Sequence, residues 1–568
     1  YGDHRDLPSF PTRRSSDLPA RRTRQGASGK AHPARRIRQE GNVDRKGIFR
    51  GRSVGVVGDL SIDEQRYLYR KARELKAGLR SGADVSRFRI ADQDYSTYLI
   101  FLENSTRTRE SFRNAALFHG VRATMFDAAT SSFAKNESLT DAIKMLIGYA
   151  PESSFVIRSG LEGVCTYLAD YLGPWAERSG YPRPSFINAG DGKHEHPTQE
   201  LLDEFSFLEQ LEWDGKSIHL ALVGDLRHGR TAHSKADGLR IFEQVMVDLV
   251  APPELAMPDA YVDSMLRNGF EVRRWPSIDD YLASGRTATI WYFTRLQLER
   301  MGDSVLDKAP ALRIAVTFRR EQIASLRDGT RFYHPLPRDR LAPVIPTYLD
   351  DTPLNAWDAQ SANGYYTRIV LLGMLAGVIG DDFDGTPLSV ALPEDDFIVE
   401  APVLPRPKPE YKVGIRPVED GIVIDHIARG QPAEAIWNRV DAIRRTLGLN
   451  VRSPHGVYHT NAGDFKGIIS VPDLETFDGR NLKRLGALSP GCTLNIVRGS
   501  RVVKKYRLGM PPRIYRFDDI ACRNEQCVSH PGHRQNAGAS FIRKPGSDDT
   551  FVCRWCEREH DYRDIWTE

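Results

Sequence analysis

The segment Phe101-Leu-Glu-Asn-Ser-Thr-Arg-Thr-Arg-Glu-Ser-Phe112 runs an apolar strand pattern directly into hydroxyl and guanidinium groups and then into a helical pattern. Ser105 fits the N-cap. Helix-start N–H groups point outward with partial positive charge, so Ser105, Thr106, Arg107 and Thr108 form a nest suited to a dianionic phosphate. An ordinary cap beside a solvated arginine would explain Ser-Thr alone, but not the Ser-Thr-Arg-Thr-Arg density after a strand. A second constellation runs from Asn188 to Gln199 and joins a glycine turn to a helix whose first position suits Pro197. There His196 can donate to a carbonyl oxygen while Gln199 bonds an amide, which together orient and polarise a carbonyl group. A metal reading of His194, Glu195 and His196 is disfavoured, because residues i and i+2 diverge on a helix and no third ligand is suggested.

Three arginines follow apolar runs that read as strands: Arg158 after Phe155-Val-Ile, Arg230 in Gly224-Asp-Leu-Arg-His-Gly-Arg, and Arg295 in Tyr292-Phe-Thr-Arg-Leu-Gln297. In open parallel sheets the ligand crevice lies at the carboxyl ends of strands. Convergent guanidiniums there imply a polyanionic substrate, since each planar fork matches a carboxylate or phosphate. Gly224 to Gly229 is not followed by Lys-Ser/Thr, so there is no P-loop, and no dinucleotide fingerprint occurs. Two loops add polar groups. Ser131 to Glu137 offers a hydroxyl and the Lys135 ammonium, and His334-Pro-Leu-Pro-Arg338 offers backbone carbonyls stiffened by proline. Near the C-terminus, Cys522-x4-Cys527 and Cys553-x2-Cys556 supply four thiolates for a closed tetrahedral zinc site. His530, His533 and His560 are not needed as ligands, because four cysteines complete the shell.

These groups need elements to position them. From Val54 to about Gly385, short runs alternate with helical periodicity: 98–102, 155–157, 218–223, 289–293 and 313–317. The pattern predicts parallel strands joined by crossover helices, an α/β fold of two doubly wound lobes. The apolar helix 367–380 follows the last strand and is expected to pack back on the first lobe. Residues 386–410 are rich in proline and acid and read as an extended linker. Beyond it, strands 421–427, 466–471, 493–497 and 502–506 with helices 433–447 and 473–488 predict a small α+β sandwich, followed by the cysteine-bearing ribbon.

The chain has 568 residues, 40% hydrophobic and 27% charged, room for three to four globular units. Its longest strongly apolar stretch, Ile369 to Gly380, falls short of the roughly twenty residues a bilayer requires. The formal charge of +4 conceals a basic leader: residues 1–53 carry 14 Lys/Arg against 5 Asp/Glu, so the body is mildly acidic. That leader lacks periodicity and a signal-peptide core and is expected to lie outside the fold. The run from Phe10 to Leu18 also resembles a translated sequencing adapter. Six cysteines, four of them in two close pairs, suit a metal site in a reducing, cytoplasmic compartment.

Taken in order, Ser105-Thr-Arg-Thr-Arg109, Ser132-x-x-Lys135, Arg158, His196-Pro-Thr-Gln199, Gly229-Arg-Thr231, Thr294-Arg-x-Gln297 and His334-Pro-Leu-Pro-Arg338 resemble the catalytic chain of aspartate transcarbamoylase over residues 54–385. Arg295 with Gln297, and Pro335 to Arg338, resemble its aspartate-specific branch rather than the ornithine-specific one. The resemblance implies that carbamoyl phosphate is held by Ser105, Thr106, Arg107, Thr108, Arg158, His196 and Gln199, with the Leu336 and Pro337 carbonyls receiving its amide. It implies that L-aspartate is held by Arg230, Arg295 and Gln297. Ser132 and Lys135 would reach across from a neighbouring subunit, making the active unit a homo-trimer or a dimer of trimers. Arg107, Thr108, His196 and Lys135 would carry catalysis, with no catalytic cofactor. One departure is Asn136, where relatives usually carry glycine.

Residues 411–562 resemble the regulatory chain of the same family, through Gly421-Ile-Val-Ile-Asp-His-Ile427, Val502-Val-Lys-Lys505 and the cysteine spacing. This implies one structural Zn2+ per chain and a nucleotide-effector site (CTP, UTP or ATP) at Val423, Asp425, His426 and Lys505. The family's second nucleotide lysine falls on Ser470, one phosphate-binding ammonium fewer. The expected organisation is a leader at 1–53, a carbamoyl phosphate lobe at 54–190 with closing helix 365–380, and an aspartate lobe at 191–364. A linker at 386–410, a regulatory domain at 411–511 and a zinc domain at 512–568 complete it. No membrane or nucleic-acid partner is expected. A nucleic-acid-binding protein using the leader and the zinc ribbon is the alternative of another class, and a transcarbamoylase acting on another amino acid is the alternative among enzymes.

Overall fold

Ser96–Phe101 (β1), Arg122–Asp127 (β2), Ser153–Ser159 (β3) and Ser185–Asp191 (β4) form a parallel sheet in the order β2-β1-β3-β4 in the computed structural model. Every residue of β1 and of β4 is buried, as expected of strands covered by helices on both faces. A second parallel sheet, ordered β7-β6-β5-β8-β9, comprises Ser217–Gly224 (β5), Gln244–Val250 (β6), Glu271–Trp275 (β7), Ile290–Thr294 (β8) and Arg331–Tyr333 (β9). Both sheets reverse strand order once, between β1 and β3 and between β5 and β8. Those two switch points open toward each other at the carboxyl ends of the strands, where the cavity described below lies.

The structure describes residues 47–127, 137–150, 152–297, 307–389, 393, 396–403, 418–449, 453–460 and 462–567. The helix Trp357–Leu375 is buried along its whole C-terminal half, from Thr367 to Leu375. Together with Pro197–Gln210 it carries one continuous core from Leu99 and Phe112 of the first lobe to Leu220 and Ile290 of the second. Among the described residues no helix is long and apolar enough to cross a membrane.

Four expectations change. The run 313–317 is not a strand but the end of the helix Ala309–Val316. Its apolar residues Ala309, Leu312 and Val316 share one buried face at helical spacing, whereas Ile314 is 63% exposed. The three-residue β9 takes the edge position instead. The leader is shorter than residues 1–53, because Phe49 is fully buried against Tyr67 and Phe383 and Gly51 N–H donates to Leu375 O at 3.1 Å. Arg52 also pairs with Glu64. The 386–410 segment is pinned at its start, where Ser61 Oγ donates to Thr386 O at 2.7 Å, and it contains the short strand Ile398–Glu400 (β10).

β10 edges an antiparallel sheet with Gly421–Ile427 (β11), His455–His459 (β12), Phe465–Pro472 (β13), Thr493–Arg498 (β14) and Arg501–Leu508 (β15), ordered β10-β15-β14-β11-β13-β12. Its second helix begins at Gly479 rather than 473, because the Asp478 side chain accepts from Asn481 N–H at 2.7 Å and caps it there. The C-terminal ribbon is a four-stranded sheet of Arg513–Tyr515 (β16), Ser540–Arg543 (β17), Thr550–Cys553 (β18) and Glu559–Asp561 (β19).

Candidate active site and metal centre

A cavity of about 280 Å³ lies between the two switch points. Its first-lobe wall is the start of the helix Thr106–His119, with Ser105, Arg107 and Thr108, and Arg158 beside it. Ser105 occupies the N-cap with extended backbone, but its hydroxyl makes no bond to the helix's opening N–H groups. Arg158 sits within β3, at a shift of register against β4, rather than after the strand. The floor is the start of the helix Pro197–Gln210, where Pro197 is the first helical residue as expected and His196 the N-cap.

The second-lobe wall brings Arg230 from the turn after β5, Arg295 and Gln297 from the turn after β8, and Leu336 and Pro337 from the loop after β9. Gly224 ends β5 with φ of +117°, and a Cβ there would stand 2.3 Å from the Thr294 carbonyl oxygen, so glycine lets β5 and β8 close together beside the pocket. Eleven of the fourteen expected substrate residues thus line one cavity. Thr106 does not line it, and Ser132 and Lys135, with Asn136, lie outside the described residues.

The arginines are braced by backbone. Arg158 Nη1 donates to Ala189 O at 3.0 Å, Arg230 Nη1 to Gly192 O at 2.9 Å, and Arg107 to the Leu336 carbonyl. Gln297 Nε2 donates to His228 O at 3.2 Å. Burial, with Arg158, Arg230 and Arg368 nearby, holds His196 well below the ordinary imidazole range. A neutral ring is therefore present at pH 7, its Nε2 3.5 Å from Thr108 Oγ1 and its Nδ1 3.4 Å from Thr198 Oγ1. Partial desolvation likewise lowers Arg107, although the residue is still exposed at the cavity, and its guanidinium is a fixed donor able to polarise a carbonyl.

Sequence reasoning missed Glu103, Arg368 and Gln360. Glu103 stands 3.8 Å from Arg158 Nε and 3.6 Å from Arg230 Nη1, an acid bridging the arginines of both lobes. Its position between strand and nest was a usable signal. Arg368 lies in the run read as an apolar closing helix and Gln360 in the polar stretch before it, to which the sequence reading gave no element.

Cys522, Cys527, Cys553 and Cys556 are buried with their sulfurs within 4.8 Å of one another. The Cys522–Cys556 and Cys527–Cys553 separations are 3.6 and 3.8 Å, and a tetrahedron with Zn–S bonds of about 2.3 Å has edges of about 3.8 Å. The donor set fits zinc. His560 Nε2 lies 3.3 Å from Cys522 Sγ, a hydrogen-bonding neighbour of the sulfur rather than a fifth ligand. The ribbon docks on the first lobe: Glu162 N–H donates to Gln526 O at 2.7 Å, Val528 N–H to Glu162 O at 3.0 Å, and the two share an apolar core. At Gly163 a Cβ would meet the Trp555 carbonyl oxygen at 2.2 Å. His194 lies between Asp191 Oδ2 at 3.2 Å and Glu557 Oε2 at 3.0 Å, so the third group absent from its local sequence arrives from the ribbon.

In the antiparallel sheet Ser470, Val423, Asn495 and Lys505 are aligned across β13, β11, β14 and β15. Asp425 pairs with Lys466 at 2.7 Å, a cation the sequence reading did not include, and His426 (φ +62°) faces Thr493 Oγ1 at 3.1 Å.

Comparison with known proteins covers most of the chain. The aspartate/ornithine carbamoyltransferase carbamoyl-P binding domain matches residues 52–209. The allosteric and metal binding domains of the aspartate carbamoyltransferase regulatory chain match 413–509 and 512–566. Protein PyrBI of Thermotoga maritima is 51% identical over 526 residues, spanning 91% of this chain and 99% of that protein. The aspartate carbamoyltransferase catalytic subunit of Methanothrix thermoacetophila is 34% identical over 331 residues, 58% of this chain and 99% of its own length. Aspartate transcarbamoylase from Trypanosoma cruzi, solved with N-(phosphonacetyl)-L-aspartic acid, aligns with a TM-score of 0.50 at 26% identity, covering 58% of this chain and 97% of that one.

Proposed function

Because this chain belongs to the aspartate carbamoyltransferase family, with catalytic and regulatory parts on one polypeptide, we propose that the arginine-lined cavity transfers the carbamoyl group of carbamoyl phosphate to L-aspartate. The convergence of Arg107, Arg158, Arg230 and Arg295 around neutral His196 and Gln199 carries this reading. Phosphate sits on the opening N–H groups of the Thr106–His119 helix, the Ser105 and Thr108 hydroxyls and Arg158, while Gln199 and the Leu336 and Pro337 carbonyls accept from the carbamoyl amide. The two carboxylates of aspartate are met by Arg230 and Arg295, with Gln297 beside them; a diamino acid would be repelled there.

Aspartate's neutral amine attacks the carbonyl carbon, forming the C–N bond. Negative charge gathering on the carbonyl oxygen is met by Arg107, Thr108 and His196. The carbon–oxygen bond to phosphate then breaks, and the leaving phosphate takes the amine proton. Positioning and electrostatics supply the rate. Ser132 and Lys135 complete a neighbouring subunit's site in a trimer. Zn2+ at the four cysteines is structural. The products are N-carbamoyl-L-aspartate and phosphate, and the sheet carrying Val423, Asp425, His426 and Lys505 takes nucleotide effectors.

The test is carbamoyl aspartate formation by the full chain, with aspartate and ornithine compared at equal carbamoyl phosphate, and with CTP, UTP or ATP added. Turnover with aspartate alone, and an aspartate saturation curve displaced by at least one nucleotide, are expected. Equal use of ornithine would overturn the substrate assignment, and three superimposable curves the effector assignment.

A further inference from the structure

Beneath the cavity lies a cluster of charges that the reaction as written does not use. Lys235, Asp203, Glu200 and Glu204 are each 0–1% exposed, so three carboxylates surround one ammonium in a closed space. Lys235 Nζ donates to Asp203 Oδ2 at 2.8 Å and to Glu200, and lies 4.4 Å from the Tyr292 ring centroid. Tyr69 donates to Glu204. Burial pushes Glu200 up to about 7 and Glu204 up as well, while Asp203 accepts from Lys235, Gln199 and Gln360.

Asp203 Oδ1 accepts from Gln199 Nε2 at 2.8 Å and from Gln360 Nε2 at 2.6 Å. A carboxylate only accepts, so it decides which way each amide is turned. Gln360 must then present its oxygen outward, and that oxygen accepts from His334 N–H at 2.9 Å, tying down the loop that carries Leu336 and Pro337. Gln199 must present its own oxygen on the cavity side, as an acceptor. Lys235 follows directly on the turn that bears Arg230. One buried carboxylate thus joins three walls of the cavity.

We propose that Asp203, anchored by Lys235 and strapped to the His334 loop through Gln360, is a positioning residue that makes the carbamoyl end of the pocket a set of acceptors and so selects a donor bearing an NH2 over an isosteric one bearing a methyl group. This inference rests on the carbamoyl phosphate reading above. The phosphate end, built on Ser105 to Thr108, does not depend on Asp203.

The experiment compares the full chain with Gln360→Met, which preserves volume, introduces no charge and leaves the Lys235–Asp203 pair intact. The readouts are the KM for carbamoyl phosphate and the inhibition constants of inorganic phosphate and acetyl phosphate. A KM raised about tenfold or more, with both inhibition constants within about twofold, is expected; a site built to hydrogen-bond a substrate group loses discrimination when those bonds are misplaced. Lys235→Met should do the same, and if it fails to fold Gln360→Met decides alone. An unchanged KM, or parallel weakening of all three ligands, overturns the proposal. If the unaltered chain makes no carbamoyl aspartate, the reading of the site has failed first and this inference falls with it.

Discussion

Arg107 joins the two halves of the pocket: it rises from the first turn of the Thr106–His119 helix and donates to the Leu336 carbonyl of the opposite lobe. Its guanidinium is therefore already held between the two walls of the cavity. Arg107→Ala is expected to lower kcat about a hundredfold or more, the scale of removing one preorganised oxyanion donor, and steady-state assays at saturating substrates measure it. Near-normal turnover would remove Arg107 from the reacting centre. Residues such as Arg107, His196 and Arg230 were legible because chemistry-bearing types stand directly after apolar runs. Glu103 was visible but unread, and Asp203, Gln360 and Arg368 were hidden, since a buried polar hub draws its partners from helices that meet only in the fold.

At the level of elements, three buried histidines pin helix ends and loops. His119 Nε2 lies 2.8 Å from Ile369 O, fastening the Thr106–His119 helix to Trp357–Leu375. His233 Nε2 lies 2.9 Å from Leu226 O, and His334 Nδ1 accepts from Leu336 N–H. Burial lowers the first two to about 4 and the third to about 3. Between those values and about 6.5 the unfolded chain binds more protons than the folded one, so stability rises with pH in that window and is lost on acidification. Each group contributes a slope of up to about 1.4 kcal/mol per pH unit. Melting temperatures between pH 7 and 5 should fall toward acid, and His119→Gln should flatten the fall; an unaltered slope would exclude His119. Period-based reading found β1, β3, β5 and β8, whose apolar runs leave few alternatives, but not β2, β4, β6 and β7. It also took 313–317 for a strand, where β-branched residues end a one-sided helix.

Across the whole molecule, the ribbon acts as a staple on the first lobe. Its buried Ile514, Phe541, Phe551 and Ile565, with Cys522, Cys527, Cys553 and Cys556, belong to one apolar cluster with Ile157, Tyr167 and Leu168 of that lobe. Asn524 Nδ2 donates to Glu162 Oε2 at 2.6 Å and Glu557 reaches His194, two residues before His196. Removing zinc by chelation, or replacing Cys553 by serine, should lower the melting temperature by about 5 °C or more, since metal binding in such sites is folding free energy. Catalytic activity should fall with it. A melt unchanged by complete zinc loss would show that the ribbon holds without its metal.

Residue types at short range, the Ser105 to Arg109 run, the His196-Pro-Thr-Gln199 turn and the paired cysteines, were determined by sequence alone, because helix starts, strand ends and thiolate knuckles are local physics. Which residues face one another across the two lobes was decided only in three dimensions. A hydrogen bond such as Gln360 to Asp203 spans 157 positions, and no local periodicity encodes the partner of a buried polar group. The pocket's chemistry is written along the chain; its alignment is a property of the packed core that joins the two sheets.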